Sequence, residues 1–226
     1  MDKLKILNKR KKPSDYNKNN YVGIEFEFWV DRQNRSRGII TRQLKNNLIK
    51  QNLFSNAHLG NDGSIHPDTP NIEGIIYSHK YELRVMTKEQ DLESTLIKVQ
   101  NFLSSIEAKY NNSCGLHIHL DMRNRNKHVA YHRLKKNERL LEYLVEDHRK
   151  ENSYCAFSSN TYWHNDYSKY RAINNLPRNT IEIRCKEMLL DMDRVYNWVM
   201  FLIGIVDNKY EASRDQYIQM ETSLLA

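Results

Sequence analysis

The stretch that decides the fold is Tyr21-Val22-Gly23-Ile24-Glu25-Phe26-Glu27-Phe28-Trp29-Val30. Its side chains alternate with a period of two, which is typical of a β-strand with one buried face. The apolar back face carries Val22, Ile24, Phe26, Phe28 and Val30. The front face carries Gly23, Glu25, Glu27 and Trp29. The two front carboxylates lie about 6.5 to 7 Å apart along the strand. Because like charges at that distance repel, the pattern indicates either water around them or a cation between them.

Three further segments, 80–85, 114–121 and 180–184, alternate in the same way and are predicted as strands. Segment 170–176 is predicted as another short strand, with a turn at 177–179. An Asp-Gly turn is predicted at Asn61-Asp62-Gly63-Ser64.

Apolar residues at helical spacing predict helices within 40–49, 92–106, 134–145 and 191–206. A capping box formed by Thr87 and Gln90 is predicted at the start of the second helix. Asp191 or Asp193 is predicted to cap the last one. Strands with one apolar face, interrupted by such helices, predict an α+β fold: a largely antiparallel sheet with helices on its back face. The predicted organisation is a basic flexible arm at 1–20, one domain at 21–210 and a polar tail at 211–226.

Composition limits the function classes without choosing among them. The net charge of +7 favours an anionic partner such as a nucleotide, a nucleic acid or an acidic metabolite, although a lysine-rich solvated surface explains it equally well. The three cysteines lack Cys-x-x-Cys spacing, which argues against disulfides or structural zinc and for a reducing compartment. We find no membrane-spanning run, no secretory segment and no glycine-rich phosphate loop. We therefore expect a cytoplasmic protein without a membrane partner.

The front face of the predicted sheet gathers acids and histidines, namely Glu25, Glu27, Glu82, His117, His119, Asp121 and Glu182. On any single strand this pattern fits an ordinary wet face of an antiparallel sheet. Taken together it favours a site, because basic residues outnumber acids in the chain, 35 to 28, yet these positions carry acids and imidazoles. Carboxylates with imidazole form a ligand set for Mg²⁺ or Mn²⁺, and Arg84 and Arg184 suit phosphoryl oxygens.

Two other features are open to either a functional or a structural interpretation. Cys114 is a candidate nucleophile, but a small buried thiol is the commoner case. The stretch Tyr162-Trp163-His164 could stack on a base, but a packed aromatic loop explains it as well.

The motifs, in chain order, are Gly23-Ile24-Glu25-Phe26-Glu27, Asp62-Gly63-Ser64, Tyr81-Glu82-Leu83, Cys114-Gly115-Leu116-His117-Ile118-His119, Tyr170-Arg171 with Asn174, and Thr180-Ile181-Glu182-Ile183-Arg184. In this order they resemble the amidoligase family, which belongs to the broader group of glutamine synthetase and glutamate–cysteine ligase. The resemblance covers about residues 21 to 206, and only the combination of these short motifs is specific. It implies a curved sheet of the glutamine synthetase-like kind, and ATP-dependent ligation of a carboxylate to an amine through an acyl phosphate.

The resemblance also implies roles for individual residues. The implied Mg²⁺ or Mn²⁺ ligands are Glu25, Glu27, Glu82, His117 and Glu182. Arg184 would stabilise the transferring phosphoryl group, so the implied catalytic set is Glu25, Glu27, Glu182 and Arg184. ATP contacts are expected from Arg171, Asn174 and Arg184, and substrate contacts from Asp62, His119 and Arg171.

Two alternatives to an ATP- and Mg²⁺-dependent ligase stay open. A metal-dependent nuclease or phosphodiesterase would use the same acids, histidines and basic surface. A catalytically inactive module on the same fold, which binds nucleic acid or a partner protein, would depend on the basic arm rather than on the acids.

Overall fold

The computed structural model describes residues 20–31, 36–53, 55–68, 78–150, 152–159 and 169–209. Within them, the strands are β1 (Tyr21–Asp31), β2 (Ala57–Asn61), β3 (Ser78–Lys88), β4 (Gly115–Asp121), β5 (Ile173–Asn174) and β6 (Thr180–Glu187). They form one six-stranded sheet in the order β2-β3-β1-β4-β6-β5, and every neighbouring pair is antiparallel. Because β1 lies inside the sheet, both of its neighbours bring side chains beside its two front carboxylates.

The helices of the described residues are α1 (Arg37–Lys50), α2 (Leu92–Ser105), α3 (Lys127–Lys136), α4 (Glu138–Leu144), α5 (Asp147–Lys150) and α6 (Met192–Val206). The α+β class and the antiparallel sheet are therefore confirmed. Strand β2 was not predicted, because its sequence Ala-His-Leu-Gly-Asn has no clear alternation. It is an edge strand that pairs with β3 alone.

Two helix predictions are corrected. The helix predicted at 134–145 is two helices, since the chain turns at Asn137, whose side chain donates to the carbonyl of Arg133 at 2.8 Å. The capping box is wrong: Thr87 lies inside β3, and its hydroxyl is 2.9 Å from the Thr95 hydroxyl. A short 3₁₀ helix, Glu89–Asp91, then leads into α2. Tertiary pairing of β3 extends past the point where local sequence predicted a helix cap.

The cap of the last helix agrees with prediction. The side chain of Asp191 accepts a hydrogen bond from the backbone N–H of Arg194 at 3.1 Å, at the start of α6. This helix is the most apolar of the six, yet none of the described helices combines the length and hydropathy needed to cross a membrane.

The apolar back of the sheet forms one core with the helices. Val22, Ile24, Phe26 and Phe28 of β1 are buried in the same cluster as the apolar faces of α1, α2, α3 and α6. Near the end of β1, the front-face residue Trp29 is also buried, and its backbone exchanges two 2.9 Å hydrogen bonds with Lys109, which forms an antiparallel bridge beside β1.

The predicted arm at 1–20 and tail at 211–226 lie outside the described residues, apart from Asn20, as does the Tyr162-Trp163-His164 stretch.

Candidate functional site

The register between β1 and β3 places charged residues directly opposite one another. Glu25 lies opposite Arg84, and Glu27 lies opposite Glu82. Directly opposed residues of antiparallel strands have Cβ atoms about 4.5 to 5.5 Å apart, so their side chains interact. Arg84 donates to both carboxylate oxygens of Glu82, and its Nε lies 3.4 Å from Oε1 of Glu25. Glu82 is therefore partly neutralised by its own strand neighbour.

On the other side of β1, strand β4 supplies the two histidines. His117 lies opposite Glu25, and His119 lies opposite Glu182 of β6. His117 Nδ1 is 3.1 Å from Glu25 Oε2 and 3.8 Å from Glu182 Oε1, while its Nε2 is 3.4 Å from Glu27 Oε1. His119 Nε2 is 3.0 Å from Glu25 Oε1 and 3.9 Å from Glu182 Oε1. Three strands thus bring three carboxylates and two imidazoles into one group.

The tightest arrangement of possible metal ligands is Glu25, His119 and Glu182, each with one ligand atom within 4.8 Å of the others. These three are named here the metal-ligand triad. The sequence implied Glu25 and Glu182 as ligands but gave the histidine role to His117 and left His119 to the substrate. In the structure both histidines contact Glu25, and His119 is the one that completes the triad.

Burial and neighbours set the charge of these groups. Burial acts to raise the pKa of Glu25, but hydrogen bonds from His117 and His119 outweigh it and hold that pKa well below its ordinary value. Burial acts to lower the pKa of His119, but the Glu25 carboxylate outweighs it, so the His119 pKa is raised. In Glu27 burial prevails and raises the pKa, although His117 acts against it. In the metal-free site these shifts in pKa favour an ionised Glu25, a protonated His119 and a protonated Glu27, and a bound cation would compete with the two protons.

Glu182 is held in place by two donors. Asn174, its partner across β5 and β6, donates to Oε2 at 2.7 Å, and Arg184 donates to Oε1. The register between β4 and β6 shifts beside Leu116, which places an irregularity next to Arg184. Such bulges redirect side chains locally. Asn174, expected to contact ATP, is buried and acts in this structure as the residue that orients Glu182.

Two neighbouring cavities meet at this group. One, named here the polar cavity, has a volume of about 410 Å³, and its lining includes Glu25, Glu27, Asp62, Glu82, Arg84, His117, Arg149 and Arg184. The other, named here the groove, has a volume of about 540 Å³, and its lining includes Tyr21, Gly23, Glu25, Arg84, Met86, His119, Asp121 and Arg123. Glu25 and Arg84 line both, so a molecule in either cavity would reach the same carboxylate and the same guanidinium.

Of the remaining residues predicted for the site, two line a cavity and one does not. Asp62 lines the polar cavity, and its carboxylate accepts from the backbone of Ser64 at 2.7 Å. Asp121 lies in the groove, where Arg123 holds its carboxylate at 2.9 and 2.8 Å. Arg171 is buried beside Ala156 and is not among the described residues that line the two cavities. Its expected contact with ATP or substrate stays a prediction.

Cys114 does not have the environment of a nucleophile. Its side chain is completely buried, and burial raises the pKa of the thiol to about 11. The other two cysteines are also buried and free. The reactive species of a cysteine is the thiolate, so Cys114 serves as a core residue beside the site.

Sequence reasoning missed Arg149. It lies on the four-residue helix α5, between a predicted helix and a predicted loop, and α5 packs against β6. Its side chain lines the polar cavity. No periodicity or spacing singled it out, since one arginine in a short polar segment is typical of a protein surface.

Gly115 explains how these side chains come so close together. A Cβ atom at this position would lie 2.8 Å from His117 Nε2, 3.2 Å from Glu27 Oε2 and 3.3 Å from Arg149 Nη2. The Gly115 backbone N–H also donates to Glu27 Oε2 at 2.6 Å. A glycine here therefore lets three polar side chains converge on the backbone of β4.

The donor chemistry of the site fits a hard divalent cation. Carboxylate oxygens with an imidazole suit Mg²⁺ or Mn²⁺, and no cysteine belongs to the metal-ligand triad. Comparison of the chain with protein-family models, with curated proteins and with solved structures gives no match. The resemblance to amidoligases therefore rests on the sequence motifs alone.

Proposed function

We propose that the protein is an ATP- and Mg²⁺-dependent carboxylate–amine ligase that forms an amide bond through an acyl-phosphate intermediate. The observation that carries the proposal is that Glu25 of the metal-ligand triad lines both cavities and His119 lines the groove, while Arg84 and Arg184 line the polar cavity beside them. A ligase of this kind must bring a nucleotide and an acid together at one metal-binding centre. The glutamine synthetase-like form of the fold belongs to the same proposal.

The metal would be held by Glu25, Glu182 and His119, with His117, Glu27 and Glu82 close to them. Bound there, Mg²⁺ or Mn²⁺ would neutralise phosphate charge during phosphoryl transfer. The carboxylate of Glu25 is suited to this role because its lowered pKa keeps it ionised at neutral pH.

The two arginines have different tasks in this proposal. Arg184 is fixed against Glu182 and borders the polar cavity, so its guanidinium can stabilise a transferring phosphoryl group next to the metal. Arg84 is exposed and pairs with Glu82 and Glu25 where the cavities join, so it can move between the two carboxylates and an incoming anion. Neither role requires a nucleophilic side chain. The burial of the Cys114 thiol is consistent with this.

The two cavities suit two reactants. Both have the volume of small-molecule sites. One would hold the nucleotide and the other the acid with its amine, and Glu25 would be shared between them. We also propose a cytoplasmic location, on the basis of three buried, free cysteines.

The test is ATP turnover with Mg²⁺ in the presence of pooled amino acids and amines. Wild type is expected to release ADP and phosphate faster when one acid–amine pair is present. Glu25→Gln and Glu182→Gln should reduce this release at least 100-fold, because each removes a charge from the metal-ligand triad. Glu93→Gln, an exposed position on α2, is the matched control and should keep the wild-type rate.

Two results would refute the ligase. If the protein neither binds nor hydrolyses ATP, the ligase proposal is refuted. Hydrolysis of DNA or RNA in the absence of ATP, lost in the same two variants, would identify a metal-dependent nuclease instead.

A further inference from the structure

The lining of the polar cavity contains basic residues as well as acids. Arg149, Lys169 and Arg184 line it together with Glu25, Glu27 and Glu82. In the proposed function the acids bind the metal, and Arg184 is hydrogen-bonded to Glu182. That function assigns no role to Arg149.

Arg149 is buried, with only 3% of its surface exposed. Its Nη2 donates to the carbonyl of Arg184 at 2.9 Å, which fixes one edge of the guanidinium. Its Nε–H has no hydrogen-bond partner among the described residues. Buried donors of this kind are nearly always satisfied, and a guanidinium offers five donors in a fixed planar arrangement.

No carboxylate of the described residues lies within ion-pair distance of Arg149, which is uncommon for a buried arginine. Arg149 acts electrostatically on Glu27, whose carboxylate is already bonded to the Gly115 N–H and lies beside His117. The missing Cβ of Gly115 places Arg149 Nη2 next to this group. The guanidinium thus lines the cavity beside Glu27, with a buried Nε–H that has no partner and without an ion pair to any described carboxylate.

We propose that Arg149 binds an oxyanion of the substrate, either a carboxylate or a phosphoryl group, in the polar cavity. An arginine holds both groups through parallel N–H···O bonds, and the attraction is strongest where water is excluded. Lys169, which also lines the polar cavity, adds a second positive charge. This inference rests on the proposed function, because it takes the polar cavity as the substrate site. It adds that the substrate carries an anionic group that does not bind the metal.

A purely structural role is the competing explanation, because Arg149 also ties α5 to β6 through the Arg184 carbonyl. Arg133 provides a matched comparison. Its guanidinium also donates to a backbone carbonyl, that of Val206, at 2.6 Å, but it lies on α3 and does not line the polar cavity.

The experiment is nuclear magnetic resonance of arginine side-chain Nε–Hε groups in the whole ¹⁵N-labelled chain, without ATP or metal. Arg149→Lys and Arg133→Lys assign the two resonances and are checked for folding by circular dichroism. Inorganic phosphate and glutarate are titrated separately, with chloride at equal ionic strength as the control.

The proposal predicts that the Arg149 resonance shifts saturably with phosphate, with glutarate or with both, that chloride does not move it, and that Arg133 stays unchanged. Arg149→Lys should weaken binding of the active probe at least fivefold. The stronger of the two probes distinguishes a phosphoryl from a carboxylate ligand. An Arg149 resonance that no oxyanion moves would overturn the proposal and leave only the structural tie. Because neither ATP nor metal is present, this result is independent of whether the ligase reaction is found.

Discussion

Gly115→Ala tests whether the convergence of polar side chains on β4 shapes the site. The added methyl carbon would lie 2.8 Å from His117 Nε2 and 3.2 and 3.3 Å from Glu27 Oε2 and Arg149 Nη2. Normal contact distances are about 3.5 to 4.0 Å, so His117 must retreat by about 0.7 Å and the other two by a few tenths of an ångström. All three atoms are at the ends of side chains, and the backbone of β4 need not move.

The two consequences differ in size. Overpacking a well-packed site costs about 1 to 3 kcal/mol, and we expect the lower end, about 1 kcal/mol, because side-chain ends can yield. The effect on metal binding should be larger. His117 touches both Glu25 and Glu27, and displacing such supporting groups lowers metal affinity by about 10- to 100-fold.

Urea unfolding measures the first quantity, and calorimetric titration with Mn²⁺ measures the second. Gly60→Ala is the matched control, since the nearest atom to its new Cβ is 3.7 Å away, which is ordinary contact. It should leave Mn²⁺ affinity unchanged. If Gly115→Ala binds Mn²⁺ as tightly as wild type, the reasoning from this close approach is wrong.

Two further predictions concern stability. Burial raises the folded-state pKa of Glu27 above 4.5, so the folded metal-free protein holds this proton more tightly than the unfolded chain, and Glu27 ionisation lowers stability as pH rises through that window. Glu27→Gln removes this effect. The stability of the variant relative to wild type should therefore increase from about pH 4.5 until the folded-state pKa of Glu27 is passed. Urea unfolding at a series of pH values measures this difference, and a difference that does not change with pH would contradict the prediction. Lys186 is buried and bonded to Glu146, so Lys186→Met should cost about 2 to 3 kcal/mol. Lys109→Met, which breaks the exposed pair with Asp31, should cost less than about 1 kcal/mol in the same assay, and equal losses would show that burial does not matter here.

The main strands were predictable because their alternation is set by a single buried face. Phe26 and Phe28 have to be buried, and this alone fixes the direction in which Glu25 and Glu27 point. The histidines of β4 followed from the same rule, so sequence placed most of the site on one face. Strand β2 was not predictable, since Gly60 and its short length conceal the alternation.

What the sequence lacked was the register between strands. Alternation places His117 and His119 on one face, but only the pairing of β4 with β6 sets His119 against Glu182. In the same way, nothing local brings Arg149 into the polar cavity, because its position depends on α5 packing on β6. The Thr87 cap failed for the converse reason, since strand pairing with β1 continued through it.

The central claim is that the metal-ligand triad binds a divalent cation. Pulsed electron paramagnetic resonance of Mn²⁺ bound without nucleotide tests it most directly, because an imidazole ligand gives a ¹⁴N modulation. We predict bound Mn²⁺ with this modulation in wild type, its loss in His119→Gln, and its retention in His132→Gln, an exposed position on α3. Mn²⁺ that does not bind, or that binds without any ¹⁴N modulation, would contradict the claim.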